Sequence, residues 1–217
     1  MLLPATVQFA TMTRGRLITI EGIDGAGKTT LATGLQHELA ARGLEIRLLR
    51  EPGGVRAAER IRELVKDPGM QIGARAEALL YAAARAQLVE EAVAPLLQAG
   101  TWVLLDRFVD SSLAYQGAGR ELGVEEVRAI NRFATGGLAP DRTLLLVLEP
   151  QLGRSRSRSR AEPVDRLEAE RDDFFARIAS AYLELQARDP QRIRLIDATK
   201  APEQVLEAAL DELADLR

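Results

Sequence analysis

The 217-residue chain has no cysteine, one histidine and one tryptophan, and aromatic residues make up only 4% of it. The absence of cysteine excludes disulfide bonds, thiolate metal sites and thiol nucleophiles. No apolar run approaches the ~18 residues that a membrane span requires, so we expect no membrane partner. The single histidine, His37, falls opposite the apolar face of a predicted helix, and we interpret it as a surface residue.

Lysine is also scarce, because only Lys28, Lys66 and Lys200 among the 29 basic residues are lysines. The 32 acidic residues outnumber the basic ones and leave a net charge of −3. A protein that wraps nucleic acid along its whole surface is usually strongly basic, so we expect no nucleic-acid partner. With lysine so rare, the position of each one carries information.

The first fifteen residues are mildly apolar and carry no charge before Arg14. A secretory signal has its basic residues before its apolar stretch, so this order does not fit one. We expect residues 1–15 to be a frayed extension, or Met12 to be the true start, and the protein to be cytoplasmic. Residues 16–217 then form one domain.

Short apolar runs alternate with longer amphipathic stretches along the rest of the chain. This alternation predicts a doubly wound α/β fold with a five-stranded, mostly parallel sheet and helices on both faces, whose ligands gather at the carboxyl ends of the strands. The predicted strands cover residues 16–21, 44–50, 101–106, 143–148 and 193–197. The predicted helices cover residues 28–42, 57–65, 75–98, 125–135, 172–188 and 202–216.

A phosphate-binding loop lies between the first predicted strand and the first helix. The segment fits the pattern G-x-x-x-x-G-K-[ST], in which glycines let successive backbone N–H groups point at phosphate oxygens. Lys28 is expected to reach the β- and γ-phosphates, and the Thr29 hydroxyl to hold Mg²⁺. The predicted nucleotide-binding residues are Gly22, Ile23, Asp24, Gly25, Ala26, Gly27, Lys28, Thr29 and Thr30.

Asp106 and Arg107 follow directly after the third predicted strand. An aspartate at the end of a strand in such a fold is a typical Mg²⁺ ligand, direct or through water, so we assign Asp106 and Thr29 to the metal. Arg107 indicates a second anion to be bound beside the first.

Several classes of phosphate-loop protein do not fit the sequence. A guanine-reading Asn-Lys-x-Asp motif is absent, and arginine follows Asp106 where motor and transport ATPases usually have glutamate. The length suits a small-molecule kinase whose acceptor is a nucleotide, a sugar or a coenzyme precursor. Only the remaining motifs distinguish among these acceptors.

From about residue 16 to residue 213 the chain closely resembles the bacterial thymidylate kinases, which have the P-loop kinase fold. The order and spacing of several motifs carry this resemblance, among them Arg-Glu-Pro-Gly-Gly at 50–54 and Asp-Arg-Phe at 106–108. The other motifs lie at residues 21–30, 81–87, 111–117, 165–166, 173–175 and 196–199. The resemblance implies transfer of a phosphoryl group from Mg²⁺-ATP to thymidine monophosphate (dTMP) for dTTP synthesis, in a homodimer.

Tyr81 and Arg85 lie four residues apart on a predicted helix, so both project from one face. An aromatic plane beside a fork of N–H donors can stack on a base and bond its edge. The resemblance gives Tyr81 the stacking position and Arg85 the position that reads thymine O4. A structural role, with tyrosine in the core and arginine at the surface, is the alternative.

The resemblance also assigns the rest of the dTMP site. It implies that Asp24 accepts a hydrogen bond from the sugar 3′-hydroxyl and that Tyr115 lies under the sugar. The thymine pocket is lined by Ser112 and Gln116. The monophosphate is held by Arg50 and Arg107, with Pro52 shaping the turn between them.

The insert at about residues 151–171 contains arginine alternating with serine from Arg154 onward. Such tracts are also found in RNA-binding proteins, so a nucleotide-dependent RNA-binding module is an alternative to a kinase with dTMP or another small acceptor. The resemblance makes this insert a lid over ATP. It places Arg160 at the transferring phosphoryl group and Arg156 near the adenine, with Arg158 as the alternative catalytic arginine.

Overall fold

The computed structural model describes residues 14–158, 166–167 and 170–216, and strands alternate with helices along this part of the chain. The strands are β1 (Leu17–Glu21), β2 (Ile46–Arg50), β3 (Trp102–Asp106), β4 (Arg142–Val147) and β5 (Ile193–Asp197). The α-helices are α1 (Lys28–Ala41), α2 (Arg56–Lys66), α3 (Ala74–Leu88), α4 (Ala94–Gln98), α5 (Val109–Ser112), α6 (Val124–Thr135), α7 (Pro150–Arg158), α8 (Asp172–Arg188) and α9 (Pro202–Asp211).

The five strands form one parallel sheet in the order β2-β3-β1-β4-β5. The central strand β1 has all five residues buried, as expected for a strand that helices cover on both sides. The prediction of a five-stranded parallel α/β sheet is therefore confirmed.

The sheet separates two apolar clusters, one on each face. Ile18 and Ile20 belong to the larger cluster, which α1 and α8 also build, whereas Leu17 belongs to the smaller cluster with residues of α3 and α4. This division follows from the period of two along a strand. Trp102, the first residue of β3, lies in the larger cluster and is 8% exposed.

Helix α1 buries one side and leaves the other in solvent. Leu31, Leu35 and Leu39 are buried at intervals of four residues, as their spacing predicts. The His37 side chain is 81% exposed, so its interpretation as a surface residue is confirmed.

The predicted helix at 75–98 is divided in the structure. A π-helical turn, Val89–Val93, separates α3 from α4, and Pro95, which has no N–H to donate, lies near the start of α4. The last predicted helix is also shorter, because α9 ends at Asp211 and a 3₁₀ turn, Ala214–Leu216, follows.

Two helical segments lie where no helix was predicted. The first is α5 with the π-helical segment that continues it, Leu113–Gly119, and the second is α7, at the beginning of the Arg-rich insert. Gly117 and Gly119 favour a loop by local preference, and tertiary packing overrides that preference.

The sheet order determines where ligands bind. The chain leaves β1 for β2 on one side of the sheet and later crosses from β3 to β4 on the other, so a crevice opens beyond the ends of β1 and β3. None of the helices in the described part of the chain combines the length and the apolar character needed to cross a bilayer.

Candidate active site

The phosphate-binding loop leaves the end of β1 and enters α1. Gly22, Gly25 and Gly27 have φ values of 135°, 79° and 90°, a region that side-chain-bearing residues rarely adopt. A Cβ on Gly25 would lie 2.0 Å from the carbonyl oxygen of Gly153, because the loop approaches the backbone of α7 closely. The glycines therefore serve both the curvature of the loop and its contact with the Arg-rich insert.

Lys28, the first residue of α1, lies beneath this loop and is 8% exposed. Its Nζ donates a hydrogen bond to the Ile23 carbonyl oxygen at 2.8 Å and lies 3.9 Å from Asp24 Oδ1. Burial, assisted by the charge of Arg107 and opposed by Asp24, lowers the pKa of Lys28 to about 8. The ammonium group is thus charged at neutral pH and aimed into the loop.

Asp106 lies beside the phosphate loop because β3 pairs with β1. Ile20 is the register partner of Asp106, and Thr29 Oγ1 donates a hydrogen bond to Asp106 Oδ2 at 3.0 Å. A hydroxyl and a carboxylate at this distance are oxygen ligands of the kind that Mg²⁺ takes. No group of three or more carboxylate or histidine side chains that could hold a metal ion occurs within residues 14–158, 166–167 and 170–216.

Arg107 organises a cluster of side chains beside the phosphate loop, and its backbone has a left-handed conformation, φ 72°. Its guanidinium donates to the Gly22 carbonyl oxygen at 3.0 Å, to Asp24 Oδ1 at 2.6 Å and to the Tyr115 hydroxyl at 3.2 Å. The Tyr115 hydroxyl in turn donates to Asp24 Oδ2 at 3.0 Å. These three side chains hold one another in fixed positions.

Asp24 remains an acceptor in this cluster. Burial alone would raise the pKa of Asp24, but the charges of Arg107 and Lys28 and the hydrogen bond from Tyr115 hold it well below its usual range. Asp24 is therefore ionised at neutral pH and able to accept a hydrogen bond from a hydroxyl group.

Arg85 lies on the same cavity wall as Tyr81 but is 2% exposed, so it is not a surface arginine. Its Nε and Nη2 reach Glu51 Oε2 at 2.7 and 2.6 Å, and Nη2 also donates to the Phe108 carbonyl oxygen at 2.9 Å. Nη1 donates to Ser112 Oγ at 3.0 Å and to Asn131 Oδ1. All five N–H groups of the guanidinium are thus engaged, and a bond to a base would share or replace one of them.

One cavity of about 810 Å³ connects these groups. It extends from the phosphate loop to the Tyr81 side of α3, and its volume lies within the range of about 300–1,000 Å³ that is typical of ligand pockets. The other predicted substrate residues that line it are Arg50, Pro52, Ser112, Tyr115, Gln116 and Arg156.

The Arg-rich insert contributes α7 to the site. Arg156 Nη1 donates to the Ala198 carbonyl oxygen at 3.0 Å, directly after β5. Arg154 pairs with Asp172 and lies over the Phe175 ring at 5.1 Å from its centre. Arg160 and the side chain of Arg158 lie outside the described residues, so the catalytic arginine stays a prediction.

Sequence reasoning assigned no role to several buried polar residues around the cavity. Glu51 stands between two predicted site residues and pairs with a third, and Glu77 lies one helical turn before Tyr81. That i, i+4 spacing was an available signal for Glu77, whereas Asn131, on α6, offered none. The missed residues are Glu21, Glu51, Glu77 and Asn131, each at most 5% exposed.

Glu21, the last residue of β1, is 0% exposed and accepts three hydrogen bonds. The donors are the Phe108 N–H at 2.7 Å, the Ser111 hydroxyl at 2.5 Å and the Tyr182 hydroxyl at 3.0 Å. Burial and the nearby charge of Asp110 raise the pKa of Glu21 to about 7. Glu21 thereby joins β1, α5 and α8 just behind Arg107.

Comparison with known proteins adds to this geometry. Residues 20–209 match the family model described as "Thymidylate kinase". The chain is 47% identical over 199 residues to a thymidylate kinase of Deinococcus radiodurans, an alignment covering 92% of this chain and 96% of the relative. It is 49% identical over 204 residues to one of Oenococcus oeni (92% and 95% covered) and 44% over 205 to one of Halorhodospira halophila (94% and 95%).

Proposed function

The chain belongs to the thymidylate kinase family, and from this membership we propose that it transfers the γ-phosphoryl group of ATP to dTMP, for dTTP synthesis. The observation that carries the proposal is the single cavity with the phosphate loop at one end and the Tyr81–Arg85 face of α3 at the other. Such a cavity can hold two nucleotides end to end.

The phosphate loop is the donor site. Backbone N–H groups of residues 22–27 and the start of α1 supply partial positive charge to the ATP phosphates. Lys28 exchanges its bond to the Ile23 carbonyl oxygen for the β- and γ-phosphate oxygens. Arg156 covers the adenine side, where it reaches the turn after β5.

Thr29 and Asp106 would hold Mg²⁺ together with the ATP phosphates. Their side-chain oxygens are already within hydrogen-bond distance of each other at the edge of the loop. The bound ion would neutralise negative charge on the phosphate oxygens.

The acceptor dTMP occupies the other end of the cavity. Arg50 and Arg107 line its phosphate side, the ionised Asp24 accepts from the 3′-hydroxyl, and Tyr115 lies under the sugar. The thymine stacks on Tyr81. Its edge faces Arg85, Ser112 and Gln116.

The chemical step needs no strong general base, because the nucleophile is an oxygen of the dTMP phosphate that is already an anion. The new bond forms between this oxygen and the γ-phosphorus while the bond to the β,γ-bridging oxygen breaks, giving thymidine diphosphate and ADP. Lys28 and Arg160 stabilise the negative charge that spreads over the transferred group. A lid at about 151–171 excludes water that would otherwise accept it.

We further propose that the enzyme is a cytoplasmic homodimer. Phe133, on α6, is 92% exposed and Leu79, on α3, is 56% exposed, and these two helices pack against each other. Large apolar side chains exposed on adjacent helices are typical of a surface that a second subunit covers.

The decisive experiment measures ADP release from Mg²⁺-ATP with each nucleoside and deoxynucleoside monophosphate as acceptor. We expect turnover with dTMP far above that with uridylate, cytidylate or the purine nucleotides. Lys28→Ala and Arg160→Ala should lower kcat by at least ~100-fold with little change in dTMP affinity, because both act on the transferred group.

The surface variant Lys200→Ala, at an exposed position that does not line the cavity, should keep its preference among acceptors and serves as the control. A preference for another monophosphate would retain the donor site and reject the dTMP assignment. Near-normal turnover by the Arg160→Ala variant would reject the role of that arginine.

A further inference from the structure

Glu77 is a fully buried carboxylate that the proposed chemistry does not use. It lies on α3 one turn before Tyr81 and two turns before Arg85, is 0% exposed, and accepts hydrogen bonds from three side chains. The donors are Gln116 at 2.9 Å, Arg120 at 3.1 and 3.3 Å, and Arg166 at 2.5 Å.

Two arginines keep this carboxylate in place. Arg120 also pairs with Glu170 and lies over the Phe174 ring, and Arg166 also donates to the Val65 carbonyl oxygen at the end of α2. Burying such a pair costs desolvation energy, so its presence is weak support for a purely stabilising role. What it does provide is a carboxylate in a fixed position.

A carboxylate only accepts hydrogen bonds, so it determines the orientation of the Gln116 amide. The Nε2 group must face Glu77 Oε1, and the carbonyl oxygen must then point away from it. Gln116 lines the cavity, and among the residues that the structure describes none donates a hydrogen bond to its Oε1. The Oε1 acceptor of Gln116 is therefore available to a ligand in the cavity.

We propose that Glu77 is a positioning residue that makes the acceptor site selective for bases with an imide N–H. This inference rests on the proposed function. Thymine and uracil have a donor at N3, which complements the Gln116 oxygen, whereas cytosine has an acceptor at N3 and is repelled. Without the fixed carboxylate the amide can rotate by half a turn and offer its donor to cytosine.

The test compares kcat/KM for dTMP and for deoxycytidine monophosphate in the wild type and in Glu77→Gln. The new amide at position 77 can donate as well as accept, so Gln116 loses its fixed orientation. We expect the ratio of the two kcat/KM values to fall by about 10- to 100-fold, the range for one unmade buried hydrogen bond.

Glu170→Gln is the matched control. It removes a carboxylate from the same Arg120 but has no contact with Gln116, so the ratio should stay within about twofold of the wild type. Gln116→Leu should lower the ratio as Glu77→Gln does, and combining the two should lower it no further, because both act through one hydrogen bond.

Thermal unfolding of each variant separates selectivity from folding. If Glu77→Gln does not fold, Glu77→Asp keeps a negative charge near both arginines but shortens the side chain by one methylene group. The carboxylate then no longer holds Gln116, and the variant should lower the ratio in the same way. An unchanged ratio in a folded variant, an equal fall in Glu170→Gln, or the failure of both Glu77 variants to fold would overturn the inference. Absence of dTMP turnover in the wild type would instead overturn the proposed function.

Discussion

Arg85 has a structural role besides the base recognition that we propose for it. Its guanidinium lies over the Phe108 ring and pairs with the buried Glu51 while facing the cavity. Glu51 Oε1 is buried and has no hydrogen-bond partner, so the arginine is the sole compensation for that charge in the described part of the chain. Burial raises the pKa of Glu51, and Arg85 counteracts this effect.

Arg85→Ala should therefore lower the stability of the protein as well as weaken base recognition. It leaves Glu51 as an uncompensated buried carboxylate, a change that typically costs about 3–5 kcal/mol. We expect a fall of that size in the free energy of unfolding, measured by urea denaturation, together with a higher KM for dTMP.

Arg75→Ala, at an exposed position on the first turn of α3, is the control and should change stability by no more than about 0.5 kcal/mol. The double variant Glu51→Gln/Arg85→Ala should recover part of the loss, because neither charge of the buried Arg85–Glu51 pair then remains. A loss for Arg85→Ala as small as that for Arg75→Ala would contradict this role.

The sequence predicts residues whose chemistry is local far better than those whose role depends on a distant partner. Lys28 and Thr29 could be assigned because a loop of one chain segment creates their site, and the structure places them beside Asp106. Glu51 and Asn131 could not be assigned, since their role is to accept hydrogen bonds from Arg85, which lies on a different element. Which side chain such a residue contacts is determined by tertiary packing.

At the scale of elements the same distinction holds. The predicted boundaries of α8 and β5 match the structure, because one amphipathic period or one apolar run continues between clear stop signals. The π-turn between α3 and α4 escaped prediction since its apolar spacing also fits a regular helix, and Pro95 was the local signal available.

Glu21 connects three elements, and its ionisation should make the stability of the folded protein depend on pH. Its pKa in the folded protein, about 7, lies above the unfolded value of 4.5 because of burial and Asp110, with the Ser111 bond and Arg107 opposing. The folded state then binds more protons than the unfolded state between these values, so stability falls as pH rises from about 4.5 to 7.

We expect Glu21→Gln to remove this dependence. The difference in urea midpoint between the variant and the wild type should shift in favour of the variant as pH rises through that window. The exposed Glu63→Gln should run parallel to the wild type at every pH. A Glu21→Gln curve that is also parallel would show that Glu21 keeps its ordinary pKa in the folded protein.

At the scale of the whole molecule, the cavity and the exposed apolar side chains share helix α3. Tyr81 and Arg85 line the cavity, whereas Leu79 is exposed to solvent. Helix α6 likewise has one buried and one exposed side, since its Asn131 is buried against Arg85 and its Phe133 is exposed. A partner on the exposed side would therefore hold the two helices that carry the proposed base pocket.

Phe133→Asp tests this arrangement by placing a charge on the surface that we propose a second subunit covers. We expect the wild type to sediment at twice the 23.7 kDa chain mass and the variant to sediment as a monomer. Leu183→Asp, at another exposed apolar position on a helix, should leave the dimer intact. A wild type that sediments as a monomer would refute the homodimer.

Trp102 provides an optical reporter for these experiments. It is the only tryptophan in the chain, lies buried at the start of β3, and is four residues away from Asp106 at the other end of the strand, about 13 Å along the backbone. Its emission should thus shift to longer wavelength when the sheet unfolds. Nucleotides bound at the Asp106 end of the strand should change this emission little. A single intrinsic fluorophore can then follow unfolding of every variant above in the presence or absence of substrates.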